Sequence, residues 1–201
     1  MIARASSTIR QPRGYLGKGH ETIGSDIIAV FEAVRDAEPT LCSHWMPLVR
    51  TIDPHGWYPI DLLLTLADVI HERAGSDALA SMGRSIFMLS HGRHFPARAA
   101  SIGDLVFSAD AIYRRANRGT AIGGWRVLEF AQSLAVIEKT TPHLCQFDEG
   151  IMQAGGRALG VAVTISQRRC LLEGDDTCEF VVEGAPGEPL WMGGWPVMSP
   201  H

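Results

Sequence analysis

The hydrophobic period of this chain changes once, near residue 120, and that change limits the fold more than any motif does. A helix buries apolar residues spaced three and four apart, whereas a half-buried strand buries every second one. Up to "RRANRG" the spacing is helical. Ile27, Ile28, Phe31 and Val34 form one stripe, followed by Pro39. Ile60, Leu63, Leu64, Ala67 and Ile70 form a second, which opens at Pro59 and stops at Gly75. Ser76 can cap a third helix, with Leu79, Met82, Ile86 and Leu89 on one face. Ser101 can cap a fourth, which stops at Gly119. Short joins predict that these helices pack as antiparallel neighbours.

Beyond "GTAIGG" the pattern alternates. "WRVLEFA" (125–131) and "LAVIEKTT" (134–141) read as strands, and Pro142 ends the run. "CQFDEGIMQAGGRALG" (145–160) reads as a helix, although Gly155 and Gly156 weaken it by about 1 kcal/mol each relative to Ala. Small residues there suit close packing on a sheet. "VAVTISQRRCLLEG" and "TCEFVVEG" read as two strands around a Gly174-Asp175-Asp176 turn. The expected fold is α+β, a helical N-terminal half packed on an antiparallel β-β-α-β-β unit. Residues 1–20 are expected to be a mobile arm, 21–184 one domain, and 185–201 a tail. The tail has too much Gly and Pro for a regular element. Yet it carries Trp191, Met192, Trp195, Val197 and Met198, so it is expected to pack back and cover apolar surface.

Composition narrows the function classes. With 46% hydrophobic and 20% charged residues, the chain can bury a full core. Its 18 Lys+Arg stand against 22 Asp+Glu, so no basic excess points to nucleic acid. No apolar run approaches a membrane span, and the basic N-terminus has no apolar stretch of a secretory leader. The cytoplasm is the expected location. No nucleophile elbow, P-loop or dinucleotide-binding glycine motif is present, so binding is expected rather than catalysis.

Cysteines carry the sharpest local signal. Cys170 and Cys178 flank the last turn, and Cys145 opens the helix that a strand-helix-strand unit can bring to the same corner. Three converging thiolates suit zinc, which takes four tetrahedral ligands. Buried free thiols are the plain alternative, and a Cys170–Cys178 disulfide is geometrically possible but disfavoured in a reducing compartment.

The segment "TPHLCQFDEGIMQAGGRALGVAVTISQRRCLLEGDDTCEFVVEG" resembles the C-terminal signature of vinyl-reductase-type domains. It is most similar to the sensor domains of phenol- and aromatic-responsive bacterial activators. "ALASMGRSIF" and "GGWRVLEFAQSLAVIEKTTP" resemble the helix and first hairpin of that family, so the likeness spans about residues 57–183. It implies a structural zinc held by Cys145, Cys170 and Cys178. The family's fourth ligand, a glutamate, falls at Gln167, a weaker neutral donor; Glu173, Asp175 or water are the alternatives. It also implies a ligand pocket between helices and sheet. Trp125 matches the family's ligand-binding Trp, and His94 lies near, but not at, the position of its His. Phe107, Tyr113, Phe130 and Phe147 are candidate walls.

The wider superfamily includes haem-based nitric oxide sensors. The Tyr-x-Ser-x-Arg signature of those sensors is absent, while His71, His91, His94 and His143 are candidate axial ligands. The expected function is a stand-alone sensor for a hydrophobic or aromatic small molecule, forming a homodimer and signalling through a partner protein. The alternatives are a haem or tetrapyrrole binder, an accessory protein of tetrapyrrole synthesis, and a ligand-free scaffold.

Overall fold

The computed structural model describes residues 19–37, 39–91 and 100–193. The expected α+β order is present. A short strand β1 (Glu21–Ile23) leads into α1 (Gly24–Ala37), α2 (Pro39–Val49), β2 (Trp57–Pro59) and the long α3 (Ile60–Ile86). A turn of π-helix (Phe87–His91) extends α3. Helix α4 (Ile102–Ala116) and β3 (Asn117–Arg118) close the first half. Then come β4 (Trp125–Ala131), β5 (Leu134–Lys139), α5 (Cys145–Ala158), β6 (Val163–Arg169), β7 (Cys178–Gly184) and α6 (Pro189–Met192).

Four strands form an antiparallel sheet in the order β4-β5-β7-β6. β5 is central, and its Ala135, Val136 and Ile137 are buried. The register sets Lys139 opposite both Trp125 and Cys178. Bulges lie at Val127/Glu129 on β4 and at Gln167/Arg169 on β6. A second sheet, β2-β1-β3, has strands of two or three residues, too short to leave an alternation signal in the sequence.

Three expectations change in detail. Gly75 does not stop its helix: with φ +81° it kinks α3, which runs on through Ser76. Helix α2 was not expected, because Pro47 lies inside it; Pro39 begins it at a position where a missing N–H costs nothing. Cys170 is not on a strand, since β6 ends at Arg169 and a 3-10 turn (Leu171–Glu173) follows. Ser101 does cap α4, accepting the Asp104 N–H at 3.1 Å while its hydroxyl donates to the Asp104 carboxylate at 2.9 Å.

Glycines set the closest approach in the domain. A Cβ at Gly83 of α3 would overlap the Phe147 carbonyl of α5, and one at Gly150 would overlap the Ala80 carbonyl. These two positions let α3 and α5 cross with main chains in contact. Gly155 meets Leu105 of α4, and Gly156 meets Val161 and Val163 beside β6. The small residues of α5 thus serve helix packing as well as sheet packing.

Trp191 packs back on the domain, as expected for the tail, but it does so from a short helix, α6, where no regular element was expected; Pro189 sits in its first turn, where a missing N–H costs nothing. It is fully buried, stacks on Phe130 with ring centroids 6.4 Å apart, and donates its indole N–H to the Ala131 carbonyl at 2.8 Å. Trp195, Val197 and Met198 lie outside the described residues, as does nearly all of the expected N-terminal arm.

Candidate functional site

Two arrangements share one wall of the sheet. The first is the thiol cluster. Cys145 is the first residue of α5, Cys170 precedes the 3-10 turn, and Cys178 opens β7. All three are buried. The Cys145 sulfur lies 3.3 Å from that of Cys178 and 3.9 Å from that of Cys170, and all three fall within 4.8 Å of one another. Sulfurs at ~2.3 Å from a tetrahedral zinc stand about 3.8 Å apart. Gln167 reaches the cluster: its side-chain amide is 3.1 Å from the Cys145 sulfur and also donates to the Arg169 carbonyl at 2.8 Å. Asp175 is engaged elsewhere, accepting the Cys170 N–H at 2.8 Å, and Glu173 is exposed.

The thiols are not equivalent. Cys145 donates to Cys178, and that hydrogen bond, with burial, pushes the Cys145 thiol far up. The same bond, helped by the Lys139 ammonium, lowers Cys178. Burial raises Cys170. The Leu171 N–H also points at the Cys178 sulfur, at 3.2 Å.

The second arrangement is a largely apolar cavity of about 100 Å³ between α3, α4, α5 and all four strands of the larger sheet. An engineered apolar cavity of about 150 Å³ accepts benzene, so this space is at most of single-ring size. Trp125, Tyr113 and Phe147 line it. Phe107 and Phe130 do not: they pack edge-to-face at 5.2 Å in the core that holds Trp191. His94 lies outside the described residues, as does the side chain of His91, and His71 on α3 is not a lining residue.

Sequence reasoning missed most of the cavity's polar lining. Asp26, Asn117 and Asp148 all contribute, as does His143, weighed only as an iron ligand. Burial lifts the Asp26 carboxyl to about 6, against hydrogen bonds from Ser90 and Ser25. Burial also lowers His143 to about 4, so its imidazole is neutral at physiological pH. Its Nε2 is enclosed without a hydrogen-bond partner among the described residues. The ring sits between Tyr113 (5.8 Å) and Phe147 (5.4 Å).

The two sites meet at Lys139 and Asp148. The buried ammonium bonds the Asp148 carboxylate and, at 2.8 Å, the His143 carbonyl, and it lies 5.9 Å from the Trp125 ring centroid. Burial opposes its charge, but Asp148 and the neighbouring thiols outweigh that and raise its affinity for the proton. Trp125 in turn stacks on Phe180 of the thiol cluster's core, at 6.2 Å.

No family model matches the chain, and no curated protein does. Solved structures do. An H-NOX protein from S. oneidensis, a mutant in the Fe(II) state, superposes with a TM-score of 0.65 at 18% identity, covering 83% of this chain and 98% of that one. An unliganded Fe(II) H-NOX protein from K. algicida gives 0.64 at 13%, covering 83% and 98%. A mutant H-NOX from T. tengcongensis gives 0.64 at 11%, covering 82% and 98%. At these identities the likeness establishes the fold: this chain has an H-NOX-like α+β architecture over most of its length.

Proposed function

We propose that this chain is a small-molecule-binding sensor domain whose ligand occupies the cavity between the helices and the larger sheet. The observation that carries the reading is the cavity itself: apolar walls from three helices and four strands, with the Nε2 of His143, unpartnered among the described residues, at its edge. Sites of this form, concave and apolar with few polar groups, are how proteins hold small ligands. The signal would pass to a partner protein or across a homodimer, as the family resemblance implies.

Fold likeness speaks for haem over an aromatic ligand, because the neighbours are H-NOX proteins described in Fe(II), Fe(II)NO and Fe(II)CO states. Haem bound here would supply an iron that takes a diatomic gas. The apolar walls and the neutral imidazole of His143 suit it. Size and charge do not: the cavity as it stands is at most of single-ring size, and its described acidic lining residues, Asp26 and Asp148, have no basic lining partner to meet propionates. A compact, mostly apolar molecule is therefore the second reading, and the cavity volume favours it.

The experiment is reconstitution with hemin, followed by the optical spectrum. A Soret band that His143→Phe shifts or abolishes supports haem. No band, with binding of a single-ring aromatic by calorimetry, supports the compact ligand. Neither result removes the proposal from test, because no binding of either class rejects it.

A structural zinc at Cys145, Cys170 and Cys178 is a second proposal. Sulfur spacing supports it; Gln167, at the position the family resemblance gives to the fourth ligand, faces the Cys145 sulfur with its amide N–H, so its carbonyl oxygen would have to turn to coordinate. Its role would be to pin the start of α5 to the β6–β7 turn.

A further inference from the structure

The cavity has a polar end on α4. Asn117 follows the last turn of that helix and is 4% exposed. Its Nδ2 donates to the Tyr113 carbonyl at 3.1 Å, which fixes the direction of the amide. Its Oδ1 is buried and has no hydrogen-bond partner among the described residues. Asn117 and His143 both line the cavity, as does Tyr113 beside them, and each has one enclosed atom without a hydrogen-bond partner among the described residues. The Tyr113 hydroxyl proton is not free for either atom, because it is donated to the Ile122 carbonyl at 2.7 Å.

An enclosed acceptor without a donor costs on the order of 1–3 kcal/mol, so a ligand that supplies a donor to Asn117 Oδ1 recovers that cost. The Asn117 amide is not needed to satisfy the helix end, since the main-chain N–H of Asn117 already bonds the Tyr113 carbonyl. We infer that Asn117 is a specificity-determining residue of the cavity, and that its ligand is a compact apolar molecule bearing an N–H or O–H directed at Asn117 Oδ1 beside His143. This rests on the compact-ligand reading of the cavity, and adds the polar group that the ligand must carry. An amide carbonyl placed in an apolar wall favours molecules that donate and rejects isosteres that cannot, because those would leave it unpaired.

The test is calorimetric titration of the full chain with two matched pairs: phenol and its methyl ether anisole, and pyrrole and furan. Phenol and pyrrole should bind about tenfold or more tightly than their partners, the equivalent of one satisfied buried acceptor. Asn117→Leu, similar in size, should bring each pair to within about twofold while the melting temperature stays near wild type. Should that variant not fold, the wild-type ratios decide alone. Equal affinities within both pairs overturn the inference and leave the cavity as a ligand site. No binding by any of the four overturns it, and with it the compact-ligand reading; the cavity as a ligand site falls only if hemin does not bind either.

Discussion

Lys139 of β5 and Asp148 of α5 form an ion pair shut away from water, with side-chain exposures of 0% and 6%, between the cavity and the thiol cluster. Asp148 lines the cavity, while Lys139 pairs across the ladder with Cys178. Removing one member strands the other charge in the core. Lys139→Met should therefore cost about 3–5 kcal/mol in urea unfolding, and Lys139→Met with Asp148→Leu should cost clearly less than the two single changes summed. Additive effects would mean that the two charges are independently solvated.

The thiol cluster predicts one zinc per chain by native mass spectrometry with metal analysis. Cys178→Ser should release the ion and lower the melting temperature, since structural metal binding contributes directly to folding. Gln167→Glu should tighten binding, because a carboxylate replaces a neutral amide beside the Cys145 sulfur. Metal-loaded and metal-stripped wild type melting together would count against a structural ion.

Asp26 predicts a pH dependence. Its folded carboxyl titrates near 6 against an ordinary 3.8, so the folded state holds the proton more tightly than the unfolded chain. Its contribution to stability is fully present below about pH 4 and is lost as the pH rises through 6. Asp26→Asn should be near neutral at pH 4 and stabilising at pH 7.5, by at most about 3 kcal/mol. Chemical unfolding at the two pH values checks it; an equal effect at both would contradict the burial argument.

Trp191 predicts that the tail is part of the domain. Trp191→Ala removes a fully buried ring that stacks on Phe130, and should cost about 3–5 kcal/mol. Truncation before residue 187 should have a similar effect and expose the Phe130 face. Unchanged stability in both would mean that the segment covers nothing.

The fold was legible where the chain is long and periodic. The second half, β4 to β7, follows from strand-forming runs bounded by Pro142 and the Gly174 turn, although the inner strands β5 and β7 bury consecutive residues on both faces. The short strands β1 to β3 were not legible, since two or three residues carry no period. Gly75 misled because a single positive φ kinks a helix whose tertiary contacts continue on both sides. Cys145, Cys170 and Cys178 were legible as a cluster because a hairpin turn and a helix start are local features. The cavity's polar end was not. Asn117 and Asp148 look like ordinary cap and first-turn residues in sequence, and only packing shows that they face an apolar space. Phe130 shows the converse: an aromatic residue on the right strand, taken up by Trp191 from a tail whose docking site no sequence pattern specifies.

The central claim is that the space between α3, α4, α5 and the larger sheet holds the ligand. Ala109, on α4, lines that space, and Ala109→Phe fills it with a ring. The most direct measurement is binding of hemin and of phenol to the wild type and to Ala109→Phe, read by Soret absorbance and by calorimetry, with circular dichroism to check the fold. The account predicts that the wild type binds at least one of the two, and that the folded Ala109→Phe protein loses that binding by about tenfold or more. Unchanged affinity in a folded Ala109→Phe protein would place the ligand elsewhere and contradict the account.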